Sequence, residues 1–535
     1  MDCTSTRLPY QQTGYFSSIV VNYLDESPPL RNFYEHSASI QGIEAAIERR
    51  KAFPTDRNLL HDVLQEQYQG IQTSNKVLQN IAQLKDENTF TICTAHQPGI
   101  FTGNLYFVYK ILHAIRLADH LSEKFPGYKF VPVFYMGSED ADLDELGHIH
   151  LNGEKLSWDA QQKGAVGRMK TKGLEKLIQR IEGQLSVYPY GSELIALLKR
   201  CYLESPDLQT ATFKLVNALF ADYGLIVLIP DNRRLKSVMQ SVFEDDLLQE
   251  TPSRLVHESV KQLDEAGFKV QAHPREINLF YLQDQLRERI IRNGSGYKVH
   301  DTTLRFSVDE LKHALQQQPE AFSPNVILRG LFQETILPNI AFIGGGGELA
   351  YWLELRGLFR HYKVPFPVLI LRNSFLFVEQ EWKKKMQKLG ISETDIFLPE
   401  QELFNRLVKK ETTNQLSIAG QITQVQQTYA ELREISSKVD RSLVDHVSAL
   451  ETKAVNRLRE LEKKLLRAEK KKFEDQQRQL KAIRQALFPN NSLQERVENF
   501  LPYYSKWGKE FLHIIYQHSA PLHGNFEVIT TEDPS

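Results

Sequence analysis

Cysteine is scarce: the 535 residues hold three, Cys3, Cys93 and Cys201, with no CxxC pair. So sparse and odd a set excludes a disulfide framework and a cysteine-based structural zinc site, and it fits a reducing compartment, so a cytoplasmic location is expected. Net charge is almost absent as well, −2 from 65 basic and 67 acidic residues. A chain so balanced offers no electrostatic footprint for a polyanion, and neither nucleic acid nor a membrane surface is expected as a partner. No apolar run nears the roughly 18 residues of a membrane-spanning helix. The opening residues, MDCTSTRLPYQQTGYFSSIV, lack the basic segment and apolar stretch of a secretory signal. Proline is missing from Gln401 to Phe488.

The chain is longer than one hydrophobic core sustains, so at least two structural units are expected. Residues 40–85 carry apolar side chains at helical spacing, among them Ile43, Ile47, Leu60, Val63, Leu64, Val77 and Ile81. Thr89–Thr94 then reads as a short buried strand, Leu105–Lys124 as an amphipathic helix, and Tyr128–Met136 as a second strand. Strand, helix and strand in so short a span make a βαβ unit with parallel strands. Gly224–Ile229 and Pro365–Leu371 are apolar without alternation, as strands covered on both faces are. The expected core is a doubly wound α/β sheet over residues 1–400, with insertions at about 152–215 and 255–320.

From Ile422 to Ala468 apolar residues fall near heptad spacing, including Val425, Leu432, Val439, Leu443, Leu450, Leu458, Leu461 and Leu465. Lysine, glutamate, arginine and glutamine fill the other faces, the composition of a coiled coil, here placed at 401–488. Such a seam is buried either by two helices folding back on each other or by a second subunit. The run Arg467–Gln479 mixes acids with its bases and reads as a solvated helix face. Pro489 ends the helical stretch, and 489–535 is expected to pack back on the core.

Ligands of open parallel sheets bind beyond the carboxyl ends of the strands. Each expected strand here exits into polar residues: His96 and Gln97; Glu139, Asp140, Asp142, Asp144 and Glu145; Asp231 and Asn232; Arg372 and Asn373. His96 opens a loop leading to a helix N-terminus, where an imidazole can meet an anion or move a proton. The acidic run can bind an amine, hold Mg²⁺, act as a base, or merely cap a helix. Gly344, Gly345, Gly346 and Gly347 precede Glu348 and an apolar helix; bare backbone there suits a phosphate or carboxylate, or a tight strand-to-helix turn. Neither a Walker loop nor a Rossmann GxGxxG is present. Arg329 and Glu334 lie just upstream and either reach the crevice or pair at the surface.

Read together, these segments resemble one family. Thr94-Ala95-His96-Gln97-Pro98-Gly99-Ile100-Phe101-Thr102-Gly103 with Lys110, Phe130–Met136 followed by Ser138–Glu145, Ser323–Arg329 with Gln333-Glu334, Leu337–Trp352, and Pro489-Asn490 with Leu493–Arg496 and Asn499 match, in order, the motifs of the BshC family. The resemblance implies a Rossmann-like parallel-sheet core with connecting-peptide insertions, related to class I aminoacyl-tRNA-synthetase-type ligases. It also implies a C-terminal coiled coil that forms a homodimer. The activity implied is the last step of bacillithiol synthesis, the joining of L-cysteine to the amine of glucosaminyl-malate. His96 stands where many members carry glutamine, Ala141 where histidine is common, and Gly346 where proline is frequent.

Amide formation from a carboxylate needs activation, so ATP or another adenine nucleotide is the expected co-substrate, with no metal site assigned. The expected catalytic residues are His96, Glu139, Asp140 and Asp142. Gln97, Asn104, Tyr106, Asp231, Arg329, Glu334 and Arg372 are expected to bind substrate, the arginines answering the malate carboxylates. Gly344–Gly347 and Glu348 are expected to hold the nucleotide, and Gln494, Arg496 and Trp507 to form a second pocket for it. The competing reading is a coiled-coil scaffold whose sheet domain binds a nucleotide.

Overall fold

The computed structural model describes residues 3–522 and 524–531; the first two residues and the last four, 532–535, of the segments read above lie outside them. Five parallel strands form the central sheet: β1 (Thr89–His96), β2 (Lys129–Met136), β3 (Ile226–Leu228), β4 (Asn339–Gly344) and β5 (Val368–Leu371). In space they run β5-β4-β1-β2-β3. The chain therefore steps from β1 outward to β3, then returns to the other side of β1 for β4 and β5. That reversal is a topological switch point, and it falls between β1 and β4. β4, six residues ended by glycine, is not among the strands read from the sequence.

The register lines up the strand ends. His96 lies beside Met136, Tyr135 beside Leu228, Ile343 beside Thr94, and Gly344 beside Leu371. Helix α1 (Tyr106–Lys124) crosses from β1 to β2 and buries Phe107, Val108, Ile111, Leu112, Ile115 and Leu121. Helices α2 (Val326–Ile336) and α3 (Gly346–Leu353) flank β4.

The connections on either side of β3 are large. Between β2 and β3 come a hairpin, His148–Leu151 with Glu154–Ser157, and the helices Leu174–Leu185, Gly191–Leu203 and Leu208–Phe220. Between β3 and β4 come the helix Thr251–Glu265 and an antiparallel meander, Leu279–Gln283, Leu286–Asn293, Gly296–Val299 and Arg305–Phe306. These strands fall within the insertion expected at about 255–320; Leu279, Tyr281, Leu282, Ile290, Tyr297 and Val299 are buried along them.

The heptad region forms two antiparallel helices, Ala419–Val439 and Leu443–Lys470, broken at Asp440–Ser442. The first of them buries no residue, and the second only Val455 and Glu469. Leu432, Ile435, Val439, Leu443, Leu450 and Leu461 stay exposed along the pair. Beyond it, Glu474–Leu487 packs Leu480, Ile483 and Leu487 inward. The last strand, Asn525–Thr531, pairs antiparallel with Cys3–Pro9 and parallel with Ser374–Val378, a small sheet absent from the sequence reading. Among the described residues no helix is long and apolar enough to cross a membrane.

Candidate active site

A cavity of about 960 Å³ opens at the carboxyl end of the sheet, over the switch point. His96, Gln97, Asn104, Tyr106, Glu139, Asp140, Arg329, Gly345, Gly346, Gly347, Glu348, Arg372 and Arg496 all line it. Strand order sorts their charge. β1 brings His96 to the middle. β4 and β5 bring the glycine turn and Arg372 to one side, and β2 brings Glu139 and Asp140 to the other.

On the basic side Arg372 is fixed from below. Its Nη2 donates to Glu495 Oε1 at 2.7 Å, and its Nη1 to the Asn373 carbonyl and to Ser374 Oγ at 3.1 and 3.0 Å. Its guanidinium lies 5.0 Å from the Tyr106 ring, which in turn meets the His96 ring edge-on at 5.4 Å. Arg329 donates to the Tyr351 hydroxyl and sits 5.9 Å from the Tyr135 ring, without an ion pair to any described carboxylate. Lys110, buried in an otherwise apolar stretch of α1, donates to the Ala95 carbonyl at 2.6 Å and Glu348 Oε2 at 2.5 Å. Glu348 reaches back to the Gly345 N–H at 2.8 Å, ordering the turn into α3. Burial, with Lys110, Arg329 and Arg372 nearby, holds His96 well below the usual imidazole range, so it is neutral near pH 7.

The tetraglycine turn divides by residue. None of the four has a positive φ. A Cβ at Gly344 would lie 2.9 Å from Phe342 and 3.0 Å from Glu348, so this glycine is set by packing. A Cβ at Gly347 would meet nothing, so its backbone faces open space. The first-turn N–H groups of α3 have no intrahelical acceptors and point toward the cavity end of the helix.

On the acidic side, Asp140 accepts from Gln97 Nε2 at 3.0 Å and pairs with Arg287 at 3.4 Å. Glu139 pairs with Lys236 at 2.5 Å. Each carboxylate thus has a basic partner, and Glu139 keeps one oxygen that accepts no hydrogen bond from a described residue. No three potential metal ligands converge among the described residues.

Six of the expected site residues stand elsewhere. Asp142 is exposed and caps a short helix by accepting from the Glu145 N–H, so it is no catalytic group of this cavity. Asp231 is buried behind the wall between Arg168 and Lys236. Glu334 points into the core, where Arg50 holds it at 2.7 Å. Gly344 ends β4 beneath the turn. Gln494 spends its amide on the backbone of Phe377, and Trp507 packs on Phe377 and Tyr503. The second nucleotide pocket expected at Gln494 and Trp507 is therefore not built by those two side chains, whereas Arg496 faces the main cavity.

Sequence reading missed Lys110 as a site element, although a lone lysine among buried apolar residues was a visible signal. It also missed Arg287, His273 and Arg275, which arrive from the meander and the segment before it.

A parallel, doubly wound sheet with a charged crevice at its switch point defines a Rossmann-like α/β protein, here extended by a helical hairpin. Comparison with known families makes this specific. Residues 1–373 match the family model "Bacillithiol biosynthesis BshC, N-terminal Rossmann-like domain", and residues 375–531 match "Bacillithiol biosynthesis BshC, C-terminal coiled-coil domain". The chain belongs to the BshC family. It is 40% identical to a protein of Flavobacterium psychrophilum and 39% identical to one of Flavobacterium johnsoniae, each over 99% of both chains. A protein of Christiangramia forsetii is 37% identical over 98% of both. All three carry the name "Putative cysteine ligase BshC".

Proposed function

We propose that this protein is a ligase that joins the carboxyl group of L-cysteine to the amine of glucosaminyl-malate, completing bacillithiol. The observation that carries the reading is the charge-sorted cavity, acidic beside β2 and basic beside β4 and β5, with His96 between. An amino acid needs both: a carboxylate for its ammonium and cations for its carboxyl group. Glu139 and Asp140 hold the ammonium. Arg329 takes the carboxyl oxygens and the charge that develops on them. The neutral His96 imidazole, between the two, accepts the proton that the attacking amine must lose. Arg496, which lines the cavity and has no ion pair to a described carboxylate, answers the malate carboxylates, with Glu495-bound Arg372 fixed beside it.

An adenine nucleotide would supply activation of the carboxyl group. The residues present fit its phosphates, because the backbone at Gly347 is open and Arg329 adds a cation without an acidic partner among the described residues.

A deletion strain is expected to lose bacillithiol and accumulate glucosaminyl-malate, and the cloned gene to reverse both; an unchanged thiol profile would reject this substrate pair.

The exposed apolar seam of the hairpin supports a homodimer in which a second hairpin covers it. Sedimentation of the full chain is expected to give a dimer. Charged substitutions at Leu432, Ile435, Leu450 and Leu461 are expected to give a folded monomer.

A further inference from the structure

Behind the acidic wall lies a lysine with no solvent exposure at all. Lys236 belongs to the short helix Arg233–Ser237, whose first turn is set by Asn232 accepting from the N–H groups of Arg234 and Leu235. An ammonium has three donors, and here each has an acceptor: Glu139 Oε1 at 2.5 Å, Asp231 Oδ1 at 2.9 Å and the Glu320 carbonyl at 3.0 Å. Arg168 grips Asp231 from the other side, Nε to Oδ2 at 2.7 Å and Nη2 to Oδ1 at 2.8 Å. Two carboxylates and two cations balance, so the cluster is neutral as a unit.

The two carboxylates differ in what they have left over. Asp231 has both oxygens engaged and does not reach the cavity. Glu139 gives one oxygen to Lys236 and lines the cavity; its other oxygen accepts no hydrogen bond from a described residue. We infer that Lys236 is a positioning residue: it keeps Glu139 in the cavity wall as a carboxylate with one oxygen left for the ammonium group of the amino-acid substrate. This rests on the ligase reading for the identity of that substrate, and on geometry alone for the action of the lysine on Glu139.

The groups facing Glu139 set its proton affinity in opposing directions, and burial, the largest of them, leaves the group above the usual carboxylate range even with the lysine in place. Burial raises it, Lys236 lowers it, Asp231 raises it, and Arg287, reaching in from the meander, lowers it. For Asp231 burial also acts upward, but Lys236 and Arg168 together overcome it and hold the group below the usual carboxylate range. Removing the lysine would leave two buried carboxylates facing each other with only Arg168 and Arg287 at the margins. One of them must then take up a proton, and Asp231, doubly bonded to Arg168, is the one that stays ionised.

Infrared difference spectra of the full-length protein, without substrate, test this directly. Burial raises Asp246, Glu354 and Glu498 to about 7, so the wild type has protonated-carboxyl bands of its own near neutral pH; Lys236→Met is expected to add a further band to them. That further band should vanish when Glu139→Gln is added. Asp231→Asn provides a second arm should the methionine variant not fold. It leaves the lysine to Glu139 alone, so Glu139 should titrate at lower pH than in the wild type, the opposite direction. A Lys236→Met spectrum lacking the further band, or an Asp231→Asn titration that is unmoved or moves upward, overturns the inference. Calorimetry with L-cysteine at neutral pH is the companion measurement. Binding should weaken about tenfold or more in Lys236→Met, as for one pK unit of lost ionisation, and be retained in Lys236→Arg. Wild-type protein that fails to bind cysteine retires the substrate, while the infrared arm still judges the lysine.

Discussion

Arg329→Met is expected to lower kcat/KM for amide formation by about a hundredfold to a thousandfold, the loss typical when one donor to developing negative charge is removed. The argument rests on what the guanidinium lacks. Most buried arginines of this chain are spoken for: Arg50 by Glu334, Arg372 by Glu495. Arg329 has only the Tyr351 hydroxyl and the face of Tyr135, so its charge is directed at whatever anion enters. Removing it strands no buried carboxylate, and the melting temperature should stay close to that of the wild type. Initial rates on purified protein, beside a thermal melt, check both halves. A variant with wild-type kcat/KM would take Arg329 out of the site; a variant that unfolds would show that its role is structural.

Arg50→Met is expected to do the reverse, costing about 3–5 kcal/mol of stability because it leaves a buried carboxylate without its cation. Arg50 donates to Glu334 Oε2 and to the Glu334 carbonyl, both at 2.7 Å, and to the Pro365 carbonyl at 3.2 Å. Glu334 Oε1 keeps Gln333 and Asn339 at 2.9 and 2.8 Å, which softens the loss without replacing the charge. The sign of the pH dependence follows. Burial already raises the Glu334 carboxyl above its usual range, and loss of Arg50 raises it further. A carboxyl raised in the folded state contributes most when protonated, and that contribution is lost as pH rises through its folded-state value. The deficit against wild type should therefore be smallest in acid and grow toward neutrality. Urea unfolding at several pH values measures it. A double variant, Arg50→Met with Glu334→Gln, should recover part of the loss.

Those two residues explain why a correct motif yielded a partly wrong site. Arg329 and Glu334 belong to one matched segment and one helix, yet five residues turn an α-helix by roughly 140° beyond a full turn. One side chain meets the cavity and the other the core. Sequence proximity brought both into the expected site; helical geometry separates them. The strand exits were legible because a strand that is apolar throughout and then abruptly ionisable marks the end of a buried sheet, as at His96, Glu139 and Arg372. Asp231 follows the same rule and yet falls short of the opening, since β3 is the edge strand and only three residues long. Asp142 lay in the right run and was drawn off by a local duty, capping the next turn. Arg287 was illegible for a different reason. It is carried by an antiparallel strand with mixed polarity, and its partner Asp140 is 147 residues away, a pairing that no local pattern announces. The heptads announced helices and offered their folding back as one of two ways to bury the seam, but not where the turn falls, because a break of three polar residues at Asp440–Ser442 resembles any other solvated stretch of the same helix.

The small sheet that joins Cys3–Pro9, Ser374–Val378 and Asn525–Thr531 unites three segments far apart in sequence. Asn525–Thr531 lies in its middle, and the strand beside it begins two residues after Arg372. The basic side of the crevice is thus backed by pairings of long sequence separation, the kind that form slowly in folding. Cutting the chain ahead of Asn525 removes that clasp and is expected to loosen the arginine's footing while leaving the central parallel sheet intact.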